Sequence, residues 1–470
     1  MENKQDFPGT FIPDCSITGM KYEPGSEVTY QIYLPPACDG VKDPALYVLL
    51  EHLPENMAPV LAKLMAEEVI PPGMVLFCIS GNLPPSLPGG TARGMRAEEF
   101  DQYGPEFSNF LVEELIPAAC KTANIHLSPD PDMHFITGGS SGGLASWNAV
   151  WFRNDYFRRA FLSSPTFSAM RGGEEPMVLV RKTEARPIRL YITSGSEEPD
   201  YFFGSSLIAA QNAAYALEFA GYDLRFEQFN AEGHCCRRES ENLWRRMMAF
   251  VWANWKTTPV RPLFNQPRIR SLVKGGWTPC EHTFRSSREI VAEQGIYSFS
   301  GGQILLKKNG ETTVAADGFD EISSIQISTD RWRMYIADRK RRFIYAMSIQ
   351  PDGSLTGLYK LASLHLAHDC RTIGAVDTAL LANDRLLTAT ELGIQGIVSF
   401  GLTDLILPLP GDLPADRVEV EGNMLFAASG DRVFCRELKT GAADPAQKIA
   451  PSTPGYGDDF DYSRSHFTAV

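Results

Sequence analysis

Apolar runs and helix-period segments take turns along the first half of the chain. Ala45–Leu50 is apolar throughout and Met74–Ser80 nearly so, the composition of strands buried on both faces. Met57–Val69 and Phe107–Thr122 instead space their apolar residues three and four apart, as in Phe110, Leu111, Leu115 and Ile116, which predicts amphipathic helices. The series continues with strands at Met133–Thr137, Ala160–Leu162, Pro187–Thr193 and Leu224–Phe229, and helices at Leu144–Phe152, Leu207–Ala220 and Glu241–Trp255. Ahead of it, Val28–Tyr33 alternates apolar and polar residues and reads as an antiparallel edge strand. Strands separated by helices predict an α/β domain with a mostly parallel sheet covered on both faces.

That texture stops near residue 258, and Pro259–Pro267 reads as a linker. Beyond it, short apolar runs recur without helices, among them Gly295–Phe299, Gly302–Leu306, Met334–Ala337, Phe343–Ala346, Arg385–Ala389 and Asn423–Ala427. Turn signals such as Asn309-Gly310 and Pro351-Asp352-Gly353-Ser354 separate them. The expected organisation is an α/β domain over 1–258, a linker over 259–269, and an all-β, propeller-like domain over 270–470.

Composition adds boundaries. Hydrophobic residues make up 44% and charged residues 21% of 470, a globular balance rather than a disordered one. A net charge of −13 argues against nucleic acid or an anionic membrane surface as partner, since both require basic faces. No run of about eighteen apolar residues is present to span a bilayer. The first residues lack the apolar core of a signal peptide, so a cytoplasmic location is expected, secreted or periplasmic if a signal has been removed. The nine cysteines are odd in number and form no Cys-x-x-Cys pattern, which speaks for free thiols over a disulfide scaffold or zinc site.

Chemistry concentrates at Gly139-Ser140-Ser141-Gly142-Gly143. A Gly-x-Ser-x-Gly sequence between a strand and a helix is the form of a nucleophile elbow, with small residues letting a sharp turn close and expose the serine. Read in that register, Ser141 is the nucleophile and the Gly142 N–H an oxyanion donor. A second donor is expected from the loop after Leu50, at Leu53 or His52. The general base must follow the serine. Of eight histidines, His234 alone lies between Ser141 and the end of the first domain, in a loop after a late strand. The acid should come from the loop after Pro187–Thr193, where Glu198 is preferred over Asp200 and Glu197. Tyr201, Phe202 and Phe167 stand near the expected mouth and could stack on a sugar or aromatic ring of a substrate. No cofactor motif accompanies them.

With these motifs in view, residues from about 10 to 256 resemble the esterase branch of α/β-hydrolases that includes enterochelin, feruloyl and acetyl-xylan esterases. The likeness is carried by Gly139–Gly143, Pro165–Ser168, Pro187–Asp200, Ala220–Asp223 and Glu232-Gly233-His234. It implies an acyl-enzyme mechanism on small-molecule or carbohydrate esters, with Glu198 at a position where aspartate is commoner. Residues from about 286 to 440 resemble the six-bladed propellers of the gluconolactonase and senescence-marker family, chiefly through Gly393-Ile394-Gln395 and Leu405–Gly411. That family holds a divalent metal through glutamate, asparagine and aspartate. Here the resemblance gives Asp369 as a weak metal candidate and Ser323 at the asparagine position, with no glutamate counterpart. The resemblance therefore implies a covering or binding module. The alternatives are a metal-dependent sugar lactonase in the propeller, or an inactive hydrolase-like module that binds carbohydrate.

Overall fold

The computed structural model describes residues 7–18, 27–83, 93–285, 289–366, 370–444, 447–448 and 467–469. The chain divides into two compact units. One comprises Met1–Val180, Ala185–Phe264 and Asp461–Val470, the other Arg181–Glu184 and Asn265–Phe460.

The first unit is built on an 11-stranded mixed sheet. From one edge its strands run Phe467–Ala469, Asp223–Phe229, Arg189–Gly195, Arg159–Ser163, His134–Gly139, Ala45–Leu50, Gly73–Cys78 and Glu27–Leu34. The first seven are mutually parallel. Glu27–Leu34 pairs antiparallel with Gly73–Cys78 and with Thr10–Thr18. The central strands Ala45–Leu50, Gly73–Cys78, His134–Gly139 and Arg159–Ser163 are buried at every position, which is why they read as unbroken apolar runs rather than alternations.

Helices close both faces. The helix Ser141–Phe152 is buried along almost its whole length, including the stacked pair Trp147 and Trp151. Glu241–Val251 is amphipathic and turns Leu243, Trp244, Met247, Met248 and Val251 inward. They join Tyr47, Phe77, Phe135, Phe161 and Tyr191 in one core cluster. Ser206–Ala220 is delimited as its sequence suggests. Ser205 Oγ accepts the Ile208 N–H, and Gly221 ends the helix in a left-handed conformation at φ 89°.

The second unit consists of four four-stranded antiparallel sheets among the described residues. Three are sequential meanders, Ile290–Ala316, Ile322–Ser363 and Asp377–Leu407. The fourth combines the unit's first strand, Val273–Pro279, with its last three, Arg417–Leu438. Among the described residues the strand-rich half thus forms four sheets, where the resemblance implied six. The Asn309-Gly310 turn has both residues at positive φ, 53° and 87°, the backbone that a two-residue hairpin of matching twist requires.

Candidate active site

Five strand ends converge at the carboxyl edge of the first unit's sheet, and each carries part of the site. Open α/β sheets place ligands at this edge because loops there leave in different directions. Leu50 leads into Glu51 and His52, Gly139 into Ser140, and Ser163 into Ser164. Gly195 leads into the loop of Glu198, and Phe229 into the loop of His234.

The sharp turn between strand and helix is centred on Ser140, which has φ 57° and ψ −121°. Ser141, expected to be the residue on the turn, is instead the first residue of the helix and is buried. Ser140 is partly exposed. The glycines confirm the register: a Cβ on Gly138 would lie 2.4 Å from the Gly142 carbonyl oxygen, so the residues two before and two after Ser140 pack backbone to backbone. The sequence Gly138-Gly139-Ser140-Ser141-Gly142 satisfies Gly-x-Ser-x-Gly as well as the register one residue later. That overlap was the available signal.

Ser140 Oγ lies 3.5 Å from Thr166 Oγ1. Ser141 Oγ accepts from Arg96 Nη1 at 2.7 Å. Among the described residues neither hydroxyl is hydrogen-bonded to His234. Catalytic contacts of this kind are often loose without substrate and tighten in the complex.

His234 and Glu198 form a pair: His234 Nδ1 donates to Glu198 Oε2 at 2.5 Å. This fixes the tautomer and leaves Nε2 free to take a proton. The Glu198 side chain is fully buried and its second oxygen is satisfied by the Gly195 N–H at 3.1 Å and by Ser164 Oγ. Burial pushes its pKa up, but hydrogen bonds from His234, Ser164 and Gly195 prevail and hold it below the usual carboxylate range. The Cys235 sulfur and the Glu198 carboxylate raise the pKa of His234 against the effect of burial. Ser164 had no signal in the sequence. It sits at φ 44° and joins the two loops, accepting the Cys235 N–H at 2.9 Å while donating to Glu198. Asp200 and Glu197 stand outside this pair; Asp200 starts the small hairpin Asp200–Ser205.

His52 is buried, and burial together with the Arg238 charge lowers its pKa to about 3. Its Nδ1 lies 3.0 Å from the Leu50 carbonyl, and Nε2 accepts from Arg238 Nε at 3.3 Å. The side chain is thus neutral with the proton on Nδ1. Its backbone N–H has no hydrogen-bond partner among the described residues, and the same holds for the N–H groups of Ser141 and Gly142 at the helix start. The Glu51 N–H is already given to Cys78. Leu53 precedes the helix Pro54–Ala66 and is 55% exposed.

Of the aromatic residues expected at the mouth, Phe202 is fully exposed and Tyr201 partly so, both on the hairpin after Glu198. Tyr201 stacks on Phe203 at 4.7 Å. Phe167 is different. It is buried and packs edge-on against Trp147, so the pull of core packing took it away from the mouth.

In the second unit, Asp369 lies outside the described residues. Ser323 Oγ donates to the Ala375 carbonyl and so spends its hydroxyl on the backbone. Among the described residues, His282, Glu419 and Glu421 offer ligand atoms within 4.8 Å of one another. Arg285 bonds both glutamates, at 3.0 and 2.9 Å, and offsets part of their charge. The nine cysteines are free thiols, and no described helix is long and apolar enough to cross a membrane.

Solved structures similar to this chain include a group of esterases, each over about half of its length, and a gluconolactonase candidate over less. A ferulic acid esterase is 17% identical, with 52% of this chain and 98% of that one covered and a TM-score of 0.40. The enterochelin esterase of Shigella flexneri is 20% identical, with 53% and 61% covered and a TM-score of 0.40. This chain thus spans 61% of the enterochelin esterase's length. The gluconolactonase candidate is 7% identical, with 31% and 49% covered and a TM-score of 0.28. No protein-family profile matches the sequence. None of the curated proteins matches it.

Proposed function

We propose that the first unit is a serine carboxylic-ester hydrolase of the α/β-hydrolase type, with Ser140 as nucleophile, His234 as general base and Glu198 as the acid that orients it. The observation that carries this reading is the strained, partly exposed Ser140 between a buried strand and a buried helix. Non-glycine residues adopt such backbone angles at a cost of about 1–3 kcal/mol, retained where function needs the aim.

In this mechanism His234 Nε2 takes the proton from Ser140 Oγ as the oxygen bonds to the ester carbonyl carbon. Glu198 stabilises the imidazolium without accepting its proton. The oxyanion is received by the Ser141 N–H, one residue after the nucleophile, and by the His52 N–H. The former is also at a helix N-terminus, where partial positive charge gathers. Collapse of the intermediate breaks the bond to the alcohol, which leaves with the proton from His234. Water then repeats the steps on the acyl-enzyme and releases the acid. The exposed Tyr201–Phe203 hairpin beside Glu198 supports a substrate with a flat ring, in keeping with a hydroxycinnamoyl or sugar ester. The second unit is read as a four-bladed propeller serving as a binding or covering module.

Hydrolysis of p-nitrophenyl acetate and methyl ferulate, with mass mapping of a fluorophosphonate adduct, tests the proposal. Ser140→Ala should lose on the order of 10³-fold or more in turnover, and the adduct should map to Ser140. An adduct on Ser141, or near-normal rates in Ser140→Ala, would refute it.

A further inference from the structure

Arg96 begins the short helix Arg96–Phe100 and makes three hydrogen bonds with one guanidinium. Nε and Nη2 donate to the two carboxylate oxygens of Glu51 at 2.6 and 2.8 Å, and Nη1 donates to Ser141 Oγ at 2.7 Å. Glu51 is the residue after the strand Ala45–Leu50, and Ser141 is the residue after Ser140. We infer that Arg96 is a positioning residue that sets the gap between the two halves of the oxyanion hole. The inference rests on the reading of Ser140 as nucleophile.

Glu51 sits at φ 55°, a left-handed conformation that a non-glycine side chain adopts only when its surroundings hold it there. Three groups do so. The Glu51 N–H goes to the Cys78 carbonyl, its own carbonyl accepts from Arg238 Nη2, and its carboxylate takes the Arg96 fork. Arg238 is itself held by its carbonyl, which accepts from Trp244 Nε1 at 2.7 Å, and it also reaches His52 Nε2. Two arginines thus grip the loop. Arg96 differs in that its third bond crosses to the elbow helix.

Each proposed donor is covalently next to an anchor of this bridge. The His52 N–H belongs to the peptide that leaves Glu51, and the Ser141 N–H to the residue whose hydroxyl Arg96 holds. A guanidinium is planar with its donors at fixed spacing, so it sets a distance where a lysine ammonium would set only a charge. Stability alone does not explain the third bond, which leaves the ion pair and crosses to Ser141. With Arg96 and Glu51 side chains 42% and 23% exposed, the bidentate pair also adds to folding, so the test must separate rate from stability. The charges also cancel, so the guanidinium adds little net field at the oxyanion. What remains is geometry, and a displacement near 1 Å in a catalytic constellation costs about 10²-fold in rate.

Steady-state kinetics on p-nitrophenyl acetate should be measured for Arg96→Lys, Arg96→Met and Ser141→Ala, with inhibition by phenylboronic acid, which forms a tetrahedral adduct on a reactive serine. Expected is a fall in kcat of roughly 10- to 100-fold with KM within about twofold. The boronate inhibition constant should rise by a similar factor, and the midpoint of the pH profile should stay in place. Ser141→Ala removes a buried hydroxyl that Arg96 and Asp101 share, and leaves the Arg96–Glu51 fork in place as a comparison if the arginine variants are unstable. Wild-type kcat in both Arg96→Lys and Ser141→Ala overturns the inference. So does a KM rise with boronate affinity intact, which would make Arg96 a substrate contact. If Ser140→Ala retained turnover, the nucleophile reading itself would fail; a Ser140 adduct with indifferent Arg96 and Ser141 variants sinks the present inference alone.

Discussion

His234 can act as a base only while neutral, and the groups around it favour its charged form. The Cys235 sulfur and Glu198 raise its pKa above 6.5, so the proton is bound below the raised value and lost as pH climbs through it. The expected kcat/KM profile therefore rises with pH to a midpoint above 6.5. Cys235→Ala should move that midpoint down, as a pH series on p-nitrophenyl acetate would reveal; an unmoved midpoint would free Cys235 of the role. Glu198→Gln should cut turnover on the order of 10²- to 10⁴-fold, because an amide supports the wrong imidazole tautomer. Asp200→Asn should do far less, and the reverse order would transfer the acid's role to Asp200. At this scale the pairing of His234 with Glu198 was legible, because chain order restricts the choice. His234 has no rival between the serine and the domain end, and Glu198 competes with two neighbours only. Which serine takes the sharp turn was not, since two overlapping motifs differ only in backbone angles that no residue type announces. Arg96, Ser164 and Arg238 escaped for a related reason: their contacts join residues 34 to 187 apart along the chain.

The elbow shows how an element depends on what its residues lack. A methyl group on Gly138 would meet backbone, which cannot swing aside. Gly138→Ala should then destabilise the first unit by roughly 1–3 kcal/mol and reduce turnover together with it, as urea titration beside the rate assay would report. Unchanged stability would mean that the turn relaxes more readily than its packing suggests. The hairpin after Glu198 gives the opposite case. Phe202 is fully exposed, so Phe202→Ala should leave the urea midpoint in place while raising KM for methyl ferulate and sparing that for p-nitrophenyl acetate. Equal effects on both esters would remove it from the ring-binding surface. Most strands and helices were legible because period-2, period-3.6 and unbroken apolar patterns reflect burial directly. One irregularity was hidden inside a good pattern. The expected helix Phe107–Thr122 widens to π-type turns at Leu111–Leu115. Pro117 supplies no N–H to the turn before it, and the backbone adjusts there.

A change of texture, where helices stop and turn-separated strands begin, was the sequence's signal for two units; nothing in it signalled that Arg181–Glu184 joins the second. The number of sheets did not follow, because short strands reveal their own faces and not which neighbours they join. The pairing of Val273 with Leu438 closes the second unit with a strand from its beginning. Neither partner advertises the other across that span of chain. Deleting Val273–Pro279 should therefore loosen the sheet Arg417–Leu438, detected as new protease cleavage between residues 417 and 438; a protected segment would show that the three remaining strands suffice.

The same pairing means that the stretch from Val273 to Leu438 begins and ends side by side. A stretch whose ends adjoin can be cut and rejoined without crossing itself, so it is suited to circular permutation. A short linker from the end of Arg432–Leu438 back to Val273 would preserve every strand pair of the four sheets. New termini could open at the Asn309-Gly310 turn, where both residues are exposed.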